Sequence, residues 1–386
     1  MKKTIFFRYK HLIIGLITIL IIGIVFLILK YVQITPNQSP QITSNKISVV
    51  IVPHFDLAKE SRTKALKEVS SSANYKTVVL VSPDHFEAAE SQIVTTEKDW
   101  KLNNAIIYPD KAKIDTLISS GLIQDQESAF NREHGIANIL PDIANSFSNA
   151  RIIPIMISQA ALSDKITTLN TKLNEICKTD CLLVSSVDFS HYLPGALAEI
   201  HDAYSIRALT NLDEAAIVKA EVDSPQSLLL AILWAKAHQT EKFHLEENNN
   251  SGKLTDSPDI ETTSYVIGWF NNGDTKKITD EATFMFGGDM MFGRYIAYKY
   301  KNDATAAVKN LGERLFWGTD AAVVNLEGPI SAISVPYNID PENLSFNFPP
   351  QVTKALQWLH LDGVSLANNH TLNAGFAGLK NTQKVL

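Results

Sequence analysis

Three polar motifs each follow a short apolar, β-branched run. Pro53-His54-Phe55-Asp56 follows Ile47–Val52, Ser82-Pro83-Asp84-His85 follows Thr77–Val81, and Asp188-Phe189-Ser190-His191-Tyr192 follows Leu182–Val187. In open α/β sheets, ligands bind in the crevice beyond the carboxyl ends of the strands. If the three runs are strands of one sheet, His54, His85 and His191 share a rim. Imidazole is the commonest metal ligand and the natural general acid or base near neutral pH. Two imidazoles with one carboxylate suit a divalent transition metal that keeps open coordination positions.

A second set repeats the logic with other residues. Thr283–Phe286 runs into Gly287-Gly288-Asp289, Ala321–Val324 into Asn325-Leu326-Glu327, and Gly363–Leu366 into Ala367-Asn368-Asn369-His370. Carboxylate, amide and imidazole at successive strand ends are the ingredients of a dinuclear metal site, in which two ions clamp both oxygens of a phosphoryl displacement. Paired glycines before Asp289 let the backbone approach such a site closely.

The elements that must position these residues are legible as a pattern. Ile47–Val52, Thr77–Val81, Arg151–Ile157, Leu182–Val187 and Tyr265–Trp269 read as buried strands. Between them lie stretches of helical spacing such as Ala58–Ser71 and Ile166–Cys177. Strands alternating with helices predict an α/β fold with a partly parallel sheet. A turn at Asn271-Asn272-Gly273-Asp274 and the polar connector at 274–282 separate a first unit, 46–273, from a second, 283–386. Three strands and two helical stretches make a small core for that second unit. The chain stops within a helical pattern without a capping signal, so the last domain is expected to be only the first half of a larger one.

The chain of 386 residues opens differently. Residues 1–11 carry Lys2, Lys3, Arg8 and Lys10 and no acid, and Leu12 to Leu29 are uncharged and almost wholly apolar. A run of this length reads as a membrane-spanning helix, within 12–32, and the flanking cations place the N-terminus in the cytoplasm. No small-x-small cleavage site follows, so an uncleaved signal anchor is expected. Residues 33–45 form a polar linker containing Pro36 and Pro40. Localisation is thus expected at the cell membrane, single-pass, with the globular part outside. The net charge of −6 and the lack of a basic cluster argue against a nucleic-acid partner. Only two cysteines occur, Cys177 and Cys181, too few for a cysteine zinc module. Sequence leaves open whether they pair.

The strings VPHFD, VLVSPDHF, REHGIANILPDI, ARIIPIMIS and LLVSSVDFSHY, followed by a late NSGK and TSYVIGWF, occur in this order within 46–273. This segment resembles the Memo-like family, protein B of the AmmeMemoRadiSam system. The resemblance implies the α/β fold of class III extradiol dioxygenases and a non-haem metal site holding iron or zinc. It places His54 and His85 as metal ligands. The family's third ligand is often a cysteine before a helix; Asp223, ahead of Leu228–Ala237, stands there instead. His191 would be the acid/base or substrate-contacting residue, oriented by Asp188, and His134 a residue supporting the site from behind. His201, His238, His244 and His360 belong to no motif and read as solvated or helix-face residues.

FMFGGDMMFGR, AAVVNLEGPIS, and the long stretch from Phe346 through ANNH to Gly375 likewise resemble the CapA capsule-synthesis family, with its calcineurin-like metallophosphatase fold. That implies metal or substrate roles for Asp289, Glu327, Asn369 and His370, with Asn325 and Asn368 behind them and a manganese-type dinuclear centre in an intact domain. The remaining metal histidines would lie downstream, so 283–386 alone is expected not to hydrolyse phosphate esters. The fusion implies a role at a surface polymer such as capsule or poly-γ-glutamate, either as an enzyme or as a non-catalytic metal- or ligand-binding module.

Overall fold

The structure is a computed structural model. It describes residues 46–386 apart from 258–260, 275, 302, 313 and 332–343. The apolar segment Leu12–Leu29 and its flanks lie outside the described residues. Among the described residues, no helix is long and apolar enough to cross a membrane.

In chain order the strands are β1 (Ile47–Val52), β2 (Thr77–Pro83), β3 (Ile93–Thr95), β4 (Trp100–Lys101), β5 (Ile106–Ile107), β6 (Gln124–Asp125), β7 (Arg151–Ile157), β8 (Cys181–Ser186), β9 (His191–Pro194), β10 (Lys242–Asn250), β11 (Glu261–Asn271), β12 (Phe284–Met290), β13 (Ala321–Leu326) and β14 (Gly363–Ser365). Among the described residues, nine of them form one sheet in the order β10-β11-β1-β8-β2-β7-β3-β6, with β9 paired to β11. The central four, β1, β8, β2 and β7, are mutually parallel. Their carboxyl ends therefore open on one rim, as the motif spacing predicts.

These strands are apolar on both faces because helices cover both. Val49, Ile51, Val79, Val81, Ile153 and Ile155 point into one core, against Ser163–Ile176 and Pro225–Ala237. Val50, Val52, Val78, Leu80 and Ile152 point into the other, against Lys59–Ser70 and Leu140–Ser146. Continuous β-branched runs are what a parallel sheet buried on two faces requires. Cys177 and Cys181, at the turn between Ser163–Ile176 and β8, are joined in a disulfide.

The segment 283–386 carries a separate parallel sheet, β12-β13-β14. Its core gathers Val324, Leu326, Ile330, Phe348, Val352, Ala355 and Leu359. Strand β12 lies at the edge, with Phe284 and Phe286 exposed on it. Polar contacts join this segment to the larger sheet's helices and loops. Arg207, on helix Gly195–Asn211, pairs with Asp320, and Asn211 bonds both the amide and the carbonyl of Ile278.

One reading of the sequence is corrected here. His201, expected at a solvated helix face, is fully buried within Gly195–Asn211. Its Nδ1 lies 3.4 Å from Glu221 and 3.3 Å from the Ser190 hydroxyl. The helix buries polar His201, Asp202 and Ser205 as well as Ala198, Ala208 and Leu209, so the apolar spacing alone does not reveal which faces are covered.

Candidate metal centre at the strand-end rim

His54 is placed by β1. Its backbone N–H donates to Asp188 Oδ1 at 2.8 Å, and its ring is buried. The Ser186 hydroxyl donates to the Gly135 carbonyl at 2.6 Å. That leaves the hydroxyl oxygen as acceptor for His54 Nδ1, 3.2 Å away. The tautomer so fixed turns the Nε2 lone pair inward. Nε2 lies 3.3 Å from both Asp188 Oδ2 and Asp223 Oδ2, yet makes no hydrogen bond among the described residues.

His85 follows β2. Its Nδ1 is 2.7 Å from Glu133 Oε1, and its backbone N–H donates to Glu133 Oε2 at 3.0 Å. Glu133 also accepts from Gly135 N–H at 2.7 Å, as the cap of the short helix His134–Ala137. With Nδ1 held by a buried carboxylate, Nε2 faces Asp223 Oδ2 at 3.4 Å. A ligating histidine whose second nitrogen is held by a carboxylate is the usual arrangement at metal sites.

Asp223 sits at the start of a helix. Ser224 caps Pro225–Ala237 by accepting from Ser227 N–H, and Pro225 occupies its first turn. Proline is tolerated there because that N–H has no helical partner. The carboxylate just before the cap therefore projects onto the rim. Asp223 Oδ2 accepts from Asp188 N–H at 3.0 Å, while buried Oδ1 has no partner among the described residues.

The structure thus brings His54, His85 and Asp223 together; the two imidazole centroids are 4.8 Å apart. It also brings in His134, whose ring lies 4.1 Å from His85 and 5.1 Å from His54. Ligand atoms of His54, His85 and His134 lie within 4.8 Å of one another, as do those of His54, Asp188 and Asp223. Asp188, read from sequence as the partner of His191, is turned onto His54 instead, because its carboxylate meets the His54 backbone first. His191 opens β9 and is half-buried beside Tyr192, close enough to Asp223 and His134 for its charge to act on both. Glu133 and Ser186 were not singled out by sequence reasoning; the only signal was the acid beside His134.

Electrostatics are sharply divided over this short distance. Burial drives the His54 ring down to about 3, aided by the neighbouring imidazoles and opposed by Asp223. Burial also pulls His85 down, but Asp223 and Glu133 outweigh it and raise the ring to about 10. Burial and the Asp223 charge push Asp188 up to about 8. Burial would raise Asp223 as well, yet His85 and His54 hold it below the usual carboxylate range. Buried charges this dense are costly unless paired or bound to a metal. The orphaned His54 Nε2 and Asp223 Oδ1, with an imidazole-rich donor set, fit a divalent ion.

The second constellation also converges. Asn325 Nδ2 donates to Asp289 Oδ1 at 2.8 Å and to Glu327 Oε2, across the β12–β13 pair where Asp289 and Asn325 are in register. Asn368 Nδ2 donates to Asn325 Oδ1 at 3.0 Å, and its own Oδ1 accepts from His370 N–H. His370 Nε2 lies 3.7 Å from Glu327 and 2.9 Å from Asn369 Nδ2, and its ring stacks on Phe346. Asp289 and Asn369 are exposed.

Fold and site together define an α/β protein with an imidazole and carboxylate centre at the carboxyl ends of parallel strands, followed by a second α/β segment. Residues 27–266 match the family described as Memo-like protein, and the chain belongs to that family. Residues 283–386 match the Bacterial capsule synthesis protein PGA_cap. A MEMO1 family protein of Caldivirga maquilingensis is 24% identical over 196 residues, spanning 47% of this chain and 67% of its own. One from Methanothermobacter thermautotrophicus is 24% identical over 47% of this chain and 68% of its own. A third, from Methanosarcina barkeri, is 28% identical over 45% of this chain and 65% of its own. Among solved structures, an uncharacterized protein from Escherichia coli K12 is similar at a TM-score of 0.38 and 12% identity, covering 56% of this chain and 99% of that one.

Proposed function

We propose that the Memo-like part of this chain is a divalent-metal centre of the non-haem dioxygenase type, with His54, His85 and Asp223 as ligands. The observation that carries this reading is the buried His54 Nε2, without a hydrogen-bond partner among the described residues, 3.3 Å from Asp223 Oδ2, which also stands 3.4 Å from His85 Nε2. His134 and Asp188 each bring a ligand atom within 4.8 Å of His54's. Imidazole and carboxylate donors suit iron or zinc. A bound ion would act as a Lewis acid toward an oxygen ligand. The chain's own residues supply the rest: Glu133 and Ser186 fix the two rings, and His191, half-exposed nearby, would hold or deliver a proton. The His85 and His134 side chains are 19% and 42% exposed, so a small molecule reaches the centre from the rim.

The wider reading is a membrane-anchored protein held by Leu12–Leu29, acting outside the cell on a surface polymer such as capsule or poly-γ-glutamate. The Cys177–Cys181 disulfide suits an oxidising compartment, and the PGA_cap match supports the polymer. In that segment we assign metal or substrate contact to Asp289, Glu327, Asn369 and His370, with Asn325 and Asn368 aligning them.

The test is metal content of the purified chain, followed by calorimetric titration with ferrous iron, zinc and manganese. One ion bound per Memo-like centre, lost in the double variant His54→Ala, Asp223→Ala, is the expected result. An unchanged stoichiometry in that variant would refute the ligand set.

A further inference from the structure

The loop that presents Asp223 to the rim is held by the other segment of the chain. Gly318 N–H donates to the Lys219 carbonyl at 2.9 Å. Gly318 also packs so tightly on this loop that an added Cβ would meet the Glu221 amide nitrogen at 3.0 Å, and its φ of +62° favours glycine. Arg314 Nη1 donates to the Val222 carbonyl at 2.6 Å, and its Nη2 donates to Gln159 Oε1 at 3.0 Å. Gln159, just beyond the carboxyl end of β7, in turn directs its Nε2 to the Asp223 carbonyl at 3.4 Å and accepts from Gln226 through its backbone carbonyl at 2.7 Å. The guanidinium also lies over the Trp317 ring, 5.5 Å from its centroid.

These contacts grip three of the four residues before the carboxylate, Lys219, Glu221 and Val222. From the inside, the loop is held by the exchange between Asp188 and Asp223 backbone and side chain, at 3.0 and 3.1 Å, by Glu221 beside buried His201, and by Ala220 and Val222 in the core. A planar guanidinium that spans two acceptors loses less freedom per bond than an ammonium would. Outer contacts that orient metal ligands contribute to affinity although they never touch the metal.

We infer that Arg314 is a positioning residue for Asp223, so that the PGA_cap segment completes the metal centre of the Memo-like part. The inference rests on the metal reading given above. It makes the second segment a structural component of the first one's site and gives a physical reason for carrying both in one chain.

The test uses the full chain, with zinc and cobalt(II) as probes. Affinity is measured by calorimetry, and exchange of the amides at 219–223 by hydrogen–deuterium mass spectrometry. Arg314→Ala is expected to weaken zinc binding about 10-fold or more, to alter the cobalt absorption bands, and to speed exchange at 219–223. Arg314→Lys, which keeps the charge but not the two-acceptor fork, should fall between. Arg207→Ala, which cuts a contact between the same segments away from Asp223, should bind zinc as the wild type does. If Arg314→Ala binds zinc with wild-type affinity and protects 219–223 equally, the positioning role is wrong while the metal reading stands. If the wild type itself binds no metal, the metal reading fails, and the inference falls with it. Equal losses in Arg207→Ala and Arg314→Ala would show that general contact between the segments is what matters, and would overturn the specific role of Arg314.

Discussion

Asp188 meets His54 at two points: its Oδ1 accepts the His54 backbone N–H at 2.8 Å, and its Oδ2 stands 3.3 Å from the His54 ring Nε2. One carboxylate thereby fixes the turn after β1 and lies beside the ring that the turn delivers. The Phe55 backbone N–H bonds the same carboxylate. An acceptor at this position therefore matters separately from its charge. Asp188→Asn, which keeps an acceptor oxygen, should be more stable than Asp188→Ala by about 1–3 kcal/mol, the cost of leaving buried donors unsatisfied. Urea unfolding of the two variants measures the difference; equal stabilities would mean the turn is held by other contacts.

Glu133 meets His85 twice and caps the helix that carries His134. Glu133→Gln preserves size and much of the capping. It removes the charge that holds the His85 Nδ1 proton. Metal affinity should fall about 10- to 100-fold, with the fold intact by circular dichroism. Unchanged affinity in a titration calorimeter would show that His85 needs no such partner.

The four parallel strands were legible because a buried parallel strand has no polar face to confuse the pattern, and β1 and β7 have the bounds read from sequence. His54 and His85 were legible for a related reason: each stands where an apolar strand stops. Asp223 entered only through the family resemblance, at the position ahead of Leu228–Ala237. Glu133 and Ser186 were not legible, since a residue that supports a histidine 48 or 132 positions away leaves no local trace. The same blindness hid the burial of His201 and the turn of Asp188 toward His54. In the second segment, the convergence of Asp289, Asn325 and Asn368 follows from three parallel strands in sequence order, so strand-end position sufficed there too.

Arg62 sits fully buried on helix Lys59–Ser70. Its Nε donates to Asp142 Oδ2 at 2.7 Å and its two terminal nitrogens to the carbonyls of Pro53 and Asn138. Asn138 in turn donates to the His54 carbonyl at 3.0 Å. Removing one member of a buried ion pair strands the other, so Arg62→Ala should destabilise the chain by about 3–5 kcal/mol. Chemical denaturation measures it. A loss below about 1 kcal/mol would mean that water enters and solvates Asp142 freely.

Asp202, buried one residue after His201, gives a pH dependence that lies apart from the metal ligands. Burial, with the charge of Glu221, raises it to about 7 against the opposing hydrogen bonds from Asn248 and Ser264. Because the folded value lies above the unfolded one, the unfolded chain releases this proton first. The contribution to stability is whole below about pH 4 and is lost as pH rises to about 7, by up to about 1.4 kcal/mol per unit. Asp202→Asn, with no proton to lose, should show a flatter stability profile between pH 5 and 8. Parallel profiles for wild type and variant in urea titrations would show that the carboxyl is already ionised at pH 5.

Gly135 is the one position of the Glu133-His134-Gly135 turn where a methyl group has nowhere to go. A Cβ there would stand 2.1 Å from Ser82 Oγ and 3.1 Å from Glu133 Oε1. Ser82 lies in β2, three residues before His85, and is fully buried. Relief must therefore come from the turn, which carries Glu133 away from His85 and the Gly135 carbonyl away from Ser186. Gly135→Ala should thus cost about 1–3 kcal/mol of stability, the range for overpacking, and weaken metal binding through both histidines. Ser82→Ala removes the closest atom in the collision. Added to Gly135→Ala, it should restore part of the stability and affinity, so the two changes are not additive. Strictly additive losses in a double-mutant cycle, read by thermal unfolding and metal titration, would show that the two side chains do not compete for the same space.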